Sequence, residues 1–127
     1  MVNYVWIVLI VVIVGFYVYR MVPAKGVKSI SPAQVQGLLS SDRASVQFVD
    51  VREPNEYKSG HVNGFKNIPL SQLSKRMTEL SNDKPVVVMC RSGSRSMQAA
   101  KMLGKNGFKD IRNASGGIMA YNAQKAK

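Results

Sequence analysis

Cys90 is the only cysteine among 127 residues, and it directly follows the apolar run Pro85-Val-Val-Val-Met89. Behind it come Arg91-Ser-Gly-Ser-Arg95-Ser96 and then a stretch with helical spacing. A strand that ends in a thiol and passes into a short Gly-Ser loop puts sulfur where backbone N–H groups can converge. Gly93 lets such a loop curl, because converging amides need backbone angles that most residues resist. The start of the following helix adds partial positive charge, and Arg91 and Arg95 add two formal charges. Together these favour thiolate over thiol, so the chemistry indicated is nucleophilic attack by Cys90. A buried structural cysteine at a strand end would explain neither the arginines nor the Gly-Ser loop. One cysteine forbids an internal disulfide, and one His with one Cys cannot close a structural zinc site. No metal or cofactor is expected.

The elements that must hold this loop follow from periodicity and end signals. Val27 to Ile30 alternates as a short strand. Ser31-Pro-Ala-Gln34 predicts a helix start, with Ser as cap, Pro in the first helical position and Gln closing the cap; Val35, Leu38 and Leu39 form its apolar side. Val46 to Val51 is a second strand, rich in β-branched and aromatic residues. Glu53-Pro54 opens a short helix that stops before Gly60, and Phe65 to Ile68 is a third strand. Leu70, Leu73, Met77 and Leu80 lie on one helix face, which makes Met77 a core residue and not a ligand. The run ending at Met89 reads as a central strand covered on both faces. Ala99, Ala100, Met102 and Leu103 mark a helix closed by Asn106-Gly107. Phe108 to Arg112 is a last strand, and Ile118 to Ala126 a terminal helix. The alternation predicts an α/β fold with a small, mainly parallel central sheet and helices on both faces.

Three passages resemble one known family, the rhodanese-like sulfurtransferases. Asp50-Val-Arg-Glu-Pro-Asn-Glu-Tyr-Lys-Ser-Gly-His-Val-Asn-Gly-Phe-Lys-Asn-Ile-Pro69 is similar to the family's first motif. Cys90-Arg-Ser-Gly-Ser-Arg95 resembles its Cys-x4-Arg active loop, and Gly116-Gly-Ile-Met-Ala-Tyr121 its closing motif, with Tyr121 where Trp is usual. Their order along residues 27 to 124 makes the likeness specific. The resemblance implies a sulfurtransferase: Cys90 takes a sulfane sulfur from a donor such as thiosulfate or a persulfide and passes it to cyanide or a thiol. It implies that the amides of residues 91 to 95 cradle the outer sulfur, with Arg91, Ser92, Gly93, Ser94 and Arg95 binding substrate. Arg95 would stabilise the sulfur anions and Arg91 recruit the anionic donor. Asp50 and Arg52 would hold the loop in shape, with Arg52 also a candidate for substrate contact, and His61 would be scaffold rather than general base. The alternatives are a membrane-tethered sulfur-carrier or redox-sensing adaptor, and a cysteine phosphatase or arsenate reductase. The phosphatases place five residues between Cys and Arg, whereas four stand here.

The first nineteen residues contain no Asp, Glu, Lys or Arg. As a helix they would extend about 28 Å, close to the roughly 30 Å hydrocarbon core of a bilayer. Tyr4 and Trp6 lie near one end, Tyr17 and Tyr19 near the other, as interfacial aromatics do. Residues 1–22 therefore read as a transmembrane helix or signal anchor, 23–26 as a linker and 27–127 as the catalytic domain. A cleavable signal is the rival, but no basic residue precedes the apolar run and Val22-Pro-Ala24 is a poor cut site. Arg20, Lys25 and Lys28 after the run predict an outside N-terminus, with the catalytic domain in the cytoplasm. The formal net charge of +11 belongs wholly to the residues after Tyr19. No aromatic-basic interleaving accompanies it, so no nucleic-acid partner is expected. The expected partners are a small anionic sulfur donor, a thiol acceptor, the membrane and a sulfur-relay protein.

Overall fold

The computed structural model describes residues 3–21 and 26–125. Its elements in chain order are α1 (Val5–Met21), β1 (Val27–Ile30), α2 (Pro32–Ser41), β2 (Gln47–Asp50), α3 (Pro54–Ser59), β3 (Lys66–Asn67) and α4 (Leu70–Arg76). A 3-10 turn (Met77–Glu79), β4 (Val86–Met89), α5 (Ser94–Lys105), β5 (Ile111–Ala114) and α6 (Gly117–Lys125) follow. The strands form one sheet in the order β1-β5-β4-β2-β3, and every pairing is parallel. Each connection must therefore cross over the sheet, and helices do the crossing.

The sheet is covered on both sides. Val87 and Met89 of β4 pack with Val35 and Leu39 of α2 and with Ile118 and Tyr121 of α6. Val86 and Val88 face the other way, against Leu73 of α4 and Ala99, Ala100 and Leu103 of α5. This two-residue alternation explains why β4 is apolar throughout: it has no solvent side. Burying each such valine stabilises the fold by about 1.5–3 kcal/mol.

Local signals set the helix starts. Ser31 Oγ accepts the Gln34 N–H at 3.2 Å while Gln34 Oε1 accepts the Ser31 N–H at 2.7 Å, completing the expected capping box. Pro54 opens α3, where the Glu56 carboxylate takes the Glu53 N–H at 3.1 Å. The stripe from Leu70 to Leu80 is helical only to Arg76 and then tightens into the 3-10 turn, with Met77 packed against the core as expected. The last strand lies at Ile111–Ala114, not at Phe108 to Arg112. The Phe108 N–H instead bonds to the Leu103 carbonyl at 3.2 Å, folding the Asn106-Gly107 turn back onto α5. Ala126, at the end of the expected terminal helix, and most of the expected linker, residues 23 to 25, lie outside the described residues.

The N-terminal reading is corrected. Asn3 Oδ1 accepts the Val5 N–H at 3.1 Å and starts α1 there, so the helix has 17 residues. Its uncharged portion, Val5 to Tyr19, extends only about 22 Å, against the roughly 30 Å of a hydrocarbon core. Among the described residues no helix is long and apolar enough to cross a membrane. This overturns a single-pass chain with its N-terminus outside and a cytoplasmic catalytic domain. The apolar side chains of α1 from Val5 to Tyr19 are exposed, and the Lys101 ammonium of α5 lies 5.7 Å from the centre of the Tyr19 ring.

Candidate active site

Cys90 stands at the carboxyl end of β4, the middle strand of the sheet, and is 1% exposed. Gly93, at φ +113°, turns the chain from the strand into α5. That turn brings the Gly93 N–H to 2.9 Å from Cys90 Sγ. One helical turn further, Ser96 Oγ lies 3.3 Å from the same sulfur. Burial pushes the Cys90 thiol pKa up. The Ser96 hydroxyl, then the backbone N–H groups of Ser96, Gly93 and Ser92, outweigh burial and bring it below the ordinary thiol value. Hydrogen bonds to the charged form thus decide the balance.

A second element holds the loop from behind. The Ile118 N–H donates to the Cys90 carbonyl at 2.8 Å and the Met119 N–H to the Arg91 carbonyl at 3.2 Å. The amino end of α6 thereby takes up two loop carbonyls, leaving the loop amides to face the sulfur. Such close approach requires Gly117: a Cβ there would lie 2.4 Å from the Arg91 carbonyl oxygen and 2.5 Å from that of Cys90. Its φ of +63° is a second reason for glycine.

Asp50 and Arg52 lie at the end of the neighbouring strand, where Asp50 pairs in register with Met89. Both are buried, and Arg52 grips Asp50 through Nε at 3.0 Å and Nη2 at 2.8 Å. Arg52 also donates to the carbonyls of Gly60, at 2.8 Å, and Glu56, at 3.3 Å. This arginine is turned inward, bracing the turn from β2 into α3.

The two loop arginines are placed differently. Arg95 is half-buried and forms a two-pronged ion pair with Glu56 of α3, at 2.6 and 2.9 Å. That hydrogen-bonded pair holds the Glu56 carboxyl down at about 2 and raises the Arg95 guanidinium. The expected direct support of Cys90 by Arg95 is thus shared with a carboxylate that offsets its charge. Arg91 is exposed and makes no ion pair among the described residues; Ser92 and Ser94 are exposed beside it. His61 joins none of these groups: its ring stacks on Tyr57 at 3.8 Å and its Nδ1–H donates to the Tyr57 carbonyl at 2.9 Å. Tyr121 is buried in the core beside α2.

Three residues at the site were not singled out from the sequence: Ser96, Asn113 and Glu56. Ser96 had a usable signal, since it lies one position beyond Arg95 and so on the helical turn facing Cys90. Asn113 and Glu56 come from distant segments, and only the sheet order brings them to the loop.

Residues 31–124 match the family model described as the rhodanese-like domain. The chain belongs to the rhodanese-like family. Thiosulfate sulfurtransferase GlpE of Pseudoalteromonas translucida is 35% identical over 96 residues, covering 76% of this chain and 90% of that protein. The uncharacterized protein YqhL of Bacillus subtilis is 49% identical over 82 residues, covering 64% of this chain and 65% of its own length. The crystal structure of a rhodanese-related protein from Thermoplasma volcanium superposes with a TM-score of 0.68 at 31% identity, covering 76% of this chain and 92% of that one. Membership and the sulfurtransferase relatives together give this rhodanese-like domain a general sulfurtransferase character. The buried thiol, with the Gly93 N–H and the Ser96 hydroxyl against it, can stabilise a sulfur-centred anion and attack an electrophilic sulfur.

Proposed function

We propose that the unit formed by residues 27–127 moves a sulfane sulfur from thiosulfate or a persulfide to a thiophilic acceptor through a Cys90 persulfide. The observation that carries this reading is the setting of Sγ: the Gly93 N–H donates to it at 2.9 Å and Ser96 Oγ lies 3.3 Å away, on a Cys-x4-Arg loop. In the first step the Cys90 thiolate attacks the outer sulfur of thiosulfate. The bond between the two donor sulfurs breaks, and sulfite leaves with its electron pair. Cys90 then carries an outer sulfur anion, held by the loop amides as an oxyanion hole holds oxygen. In the second step cyanide or a thiolate attacks that outer sulfur, and the bonding pair returns to Cys90 Sγ. Arg91, exposed at the loop, recruits the anionic donor; Arg95 and Glu56 fix the loop against α3.

The test is a single-turnover experiment with thiosulfate. Mass spectrometry should find one added sulfur atom on Cys90, and cyanide should remove it as thiocyanate. Failure to load sulfur, together with turnover of a chromogenic phosphate ester, would reject the reading in favour of phosphatase chemistry.

A further inference from the structure

Behind the reactive sulfur two side chains stand in a row, drawn from two parts of the chain. Ser96, in the first turn of α5, is fully buried, and Asn113 of β5 is 5% exposed. Asn113 reaches this position because β5 lies beside β4, with Val88 opposite Asn113. The Ser96 hydroxyl touches Cys90 Sγ at 3.3 Å, the Gly93 carbonyl at 3.0 Å and Asn113 Oδ1 in a short hydrogen bond. All three neighbours can accept, yet a hydroxyl has one proton to give. The direction of that proton therefore depends on what the sulfur needs.

With a neutral thiol, Cys90 S–H donates to Ser96 Oγ, and the Ser96 proton is free to go to Asn113 Oδ1. A thiolate has nothing to donate and calls for a donor. The Gly93 N–H serves it in either state, but Ser96 can serve it only by turning its proton away from Asn113.

We infer that Ser96 and Asn113 form a hydroxyl switch on Cys90: Ser96 donates to the sulfur while it is anionic, and Asn113 takes the same proton while the sulfur is neutral. Ser96 keeps its proton throughout, so the switch is a rotation and not a transfer. The purpose of the switch rests on the sulfur-transfer reading. There Sγ is an anion before attack, a neutral bridging atom in the persulfide and an anion again as it leaves. The hydroxyl would turn away once and back once per cycle, and its return assists the departure of Sγ in the second step. Ser96 and Asn113 are thus positioning residues for both half-reactions.

The deciding measurement is the pH dependence of Cys90 alkylation by iodoacetamide, which needs no sulfur donor. Ser96→Ala should raise the midpoint by about one pH unit, slowing alkylation below it roughly tenfold. Ser96→Thr should restore it. Asn113→Leu removes one of the two competing acceptors, leaving the Gly93 carbonyl, and should move the midpoint down, and this effect should vanish when Ser96→Ala is added. Discharge of preloaded persulfide to cyanide should slow in Ser96→Ala. An unchanged midpoint in Ser96→Ala, or an upward shift in Asn113→Leu, would overturn the switch. Should Asn113→Leu fail to fold, the Ser96→Ala and Ser96→Thr pair decides alone. A wild-type protein that alkylates with the lowered midpoint but never accepts sulfur would reject the sulfurtransferase reading while leaving the switch in place.

Discussion

At Cys90 a single buried sulfur atom meets the Gly93 N–H and the Ser96 hydroxyl. Cys90→Ser should abolish thiosulfate:cyanide turnover with the fold intact, because a serine hydroxyl at neutral pH is neither comparably ionised nor comparably nucleophilic. Retained turnover would place the chemistry elsewhere, and no second cysteine exists to carry it. The electrostatics at this position are more local than the sequence suggests. Backbone N–H groups converging on the sulfur were expected from the Gly-Ser loop, but the largest group that brings the thiol down, the Ser96 hydroxyl, was not. Hydroxyl placement leaves no trace in composition, and Arg95 is already engaged by Glu56. Arg95→Ala should therefore lower the maximal rate through a loosened loop, while moving the alkylation midpoint less than Ser96→Ala does. A larger shift from Arg95→Ala would restore the arginine as the main stabiliser of the anion.

Between elements, two contacts hold the loop in place, and each gives its own prediction. The amino end of α6 fits only because Gly117 has no side chain. Gly117→Ala would drive a Cβ into two backbone carbonyls at a positive φ, so a loss of about 2–4 kcal/mol is expected, with turnover falling in step. Unchanged thermal unfolding would show that the loop has another rest position. The second contact joins α3 to α5 through Glu56 and Arg95, each about one-third exposed, at 32%. Solvent screening limits this pair to about 1 kcal/mol. Glu56 falls from an ordinary 4.5 to about 2 in the folded protein. Its contribution is therefore complete above pH 4.5 and is lost as pH falls through about 2. Glu56→Gln should unfold more easily than wild type at neutral pH, and the difference should close on acidification through that window. A difference independent of pH would mean that the carboxylate charge is not what matters. The sequence marks both glycines of the closing motif but not what they approach. It misplaces the last strand because Asn113 and Ala114 have weak strand propensity, whereas Phe108, which looks like a strand residue, closes a turn. The capping box at Ser31, the short helix after Pro54 and the central strand before Cys90 were legible because each is decided within a few residues.

Over the whole molecule, the order β1-β5-β4-β2-β3 puts the strand that ends at Cys90 in the centre, with the Asp50-Arg52 brace on one side and Asn113 on the other. Alternating elements announce this parallel architecture. They do not announce which strands become neighbours, so the Asn113 contact was not anticipated. The N-terminal apolar run shows the opposite failure: composition predicted a span, but helix geometry is set by where the hydrogen bonds begin and by where charge returns at Arg20. Charge itself acts at this largest scale. A formal +11 on a chain of pI about 10.1 gives the molecule an overall positive field, and Arg91 stands exposed at the loop. Such a field raises the local concentration of a doubly charged donor and decays over a Debye length of about 10 Å at 0.1 M salt, shrinking to about 3 Å at 1 M. Raising ionic strength should therefore increase KM for thiosulfate several-fold while leaving kcat nearly constant, since the donors around Sγ are buried and unscreened. Arg91→Ala should raise KM at low salt and flatten its salt dependence, bringing variant and wild type together at high salt. Steady-state kinetics across a salt series tests both parts: a KM indifferent to salt would remove electrostatic recruitment, and a matching fall in kcat would move the salt effect from the approach of the donor to the loop itself.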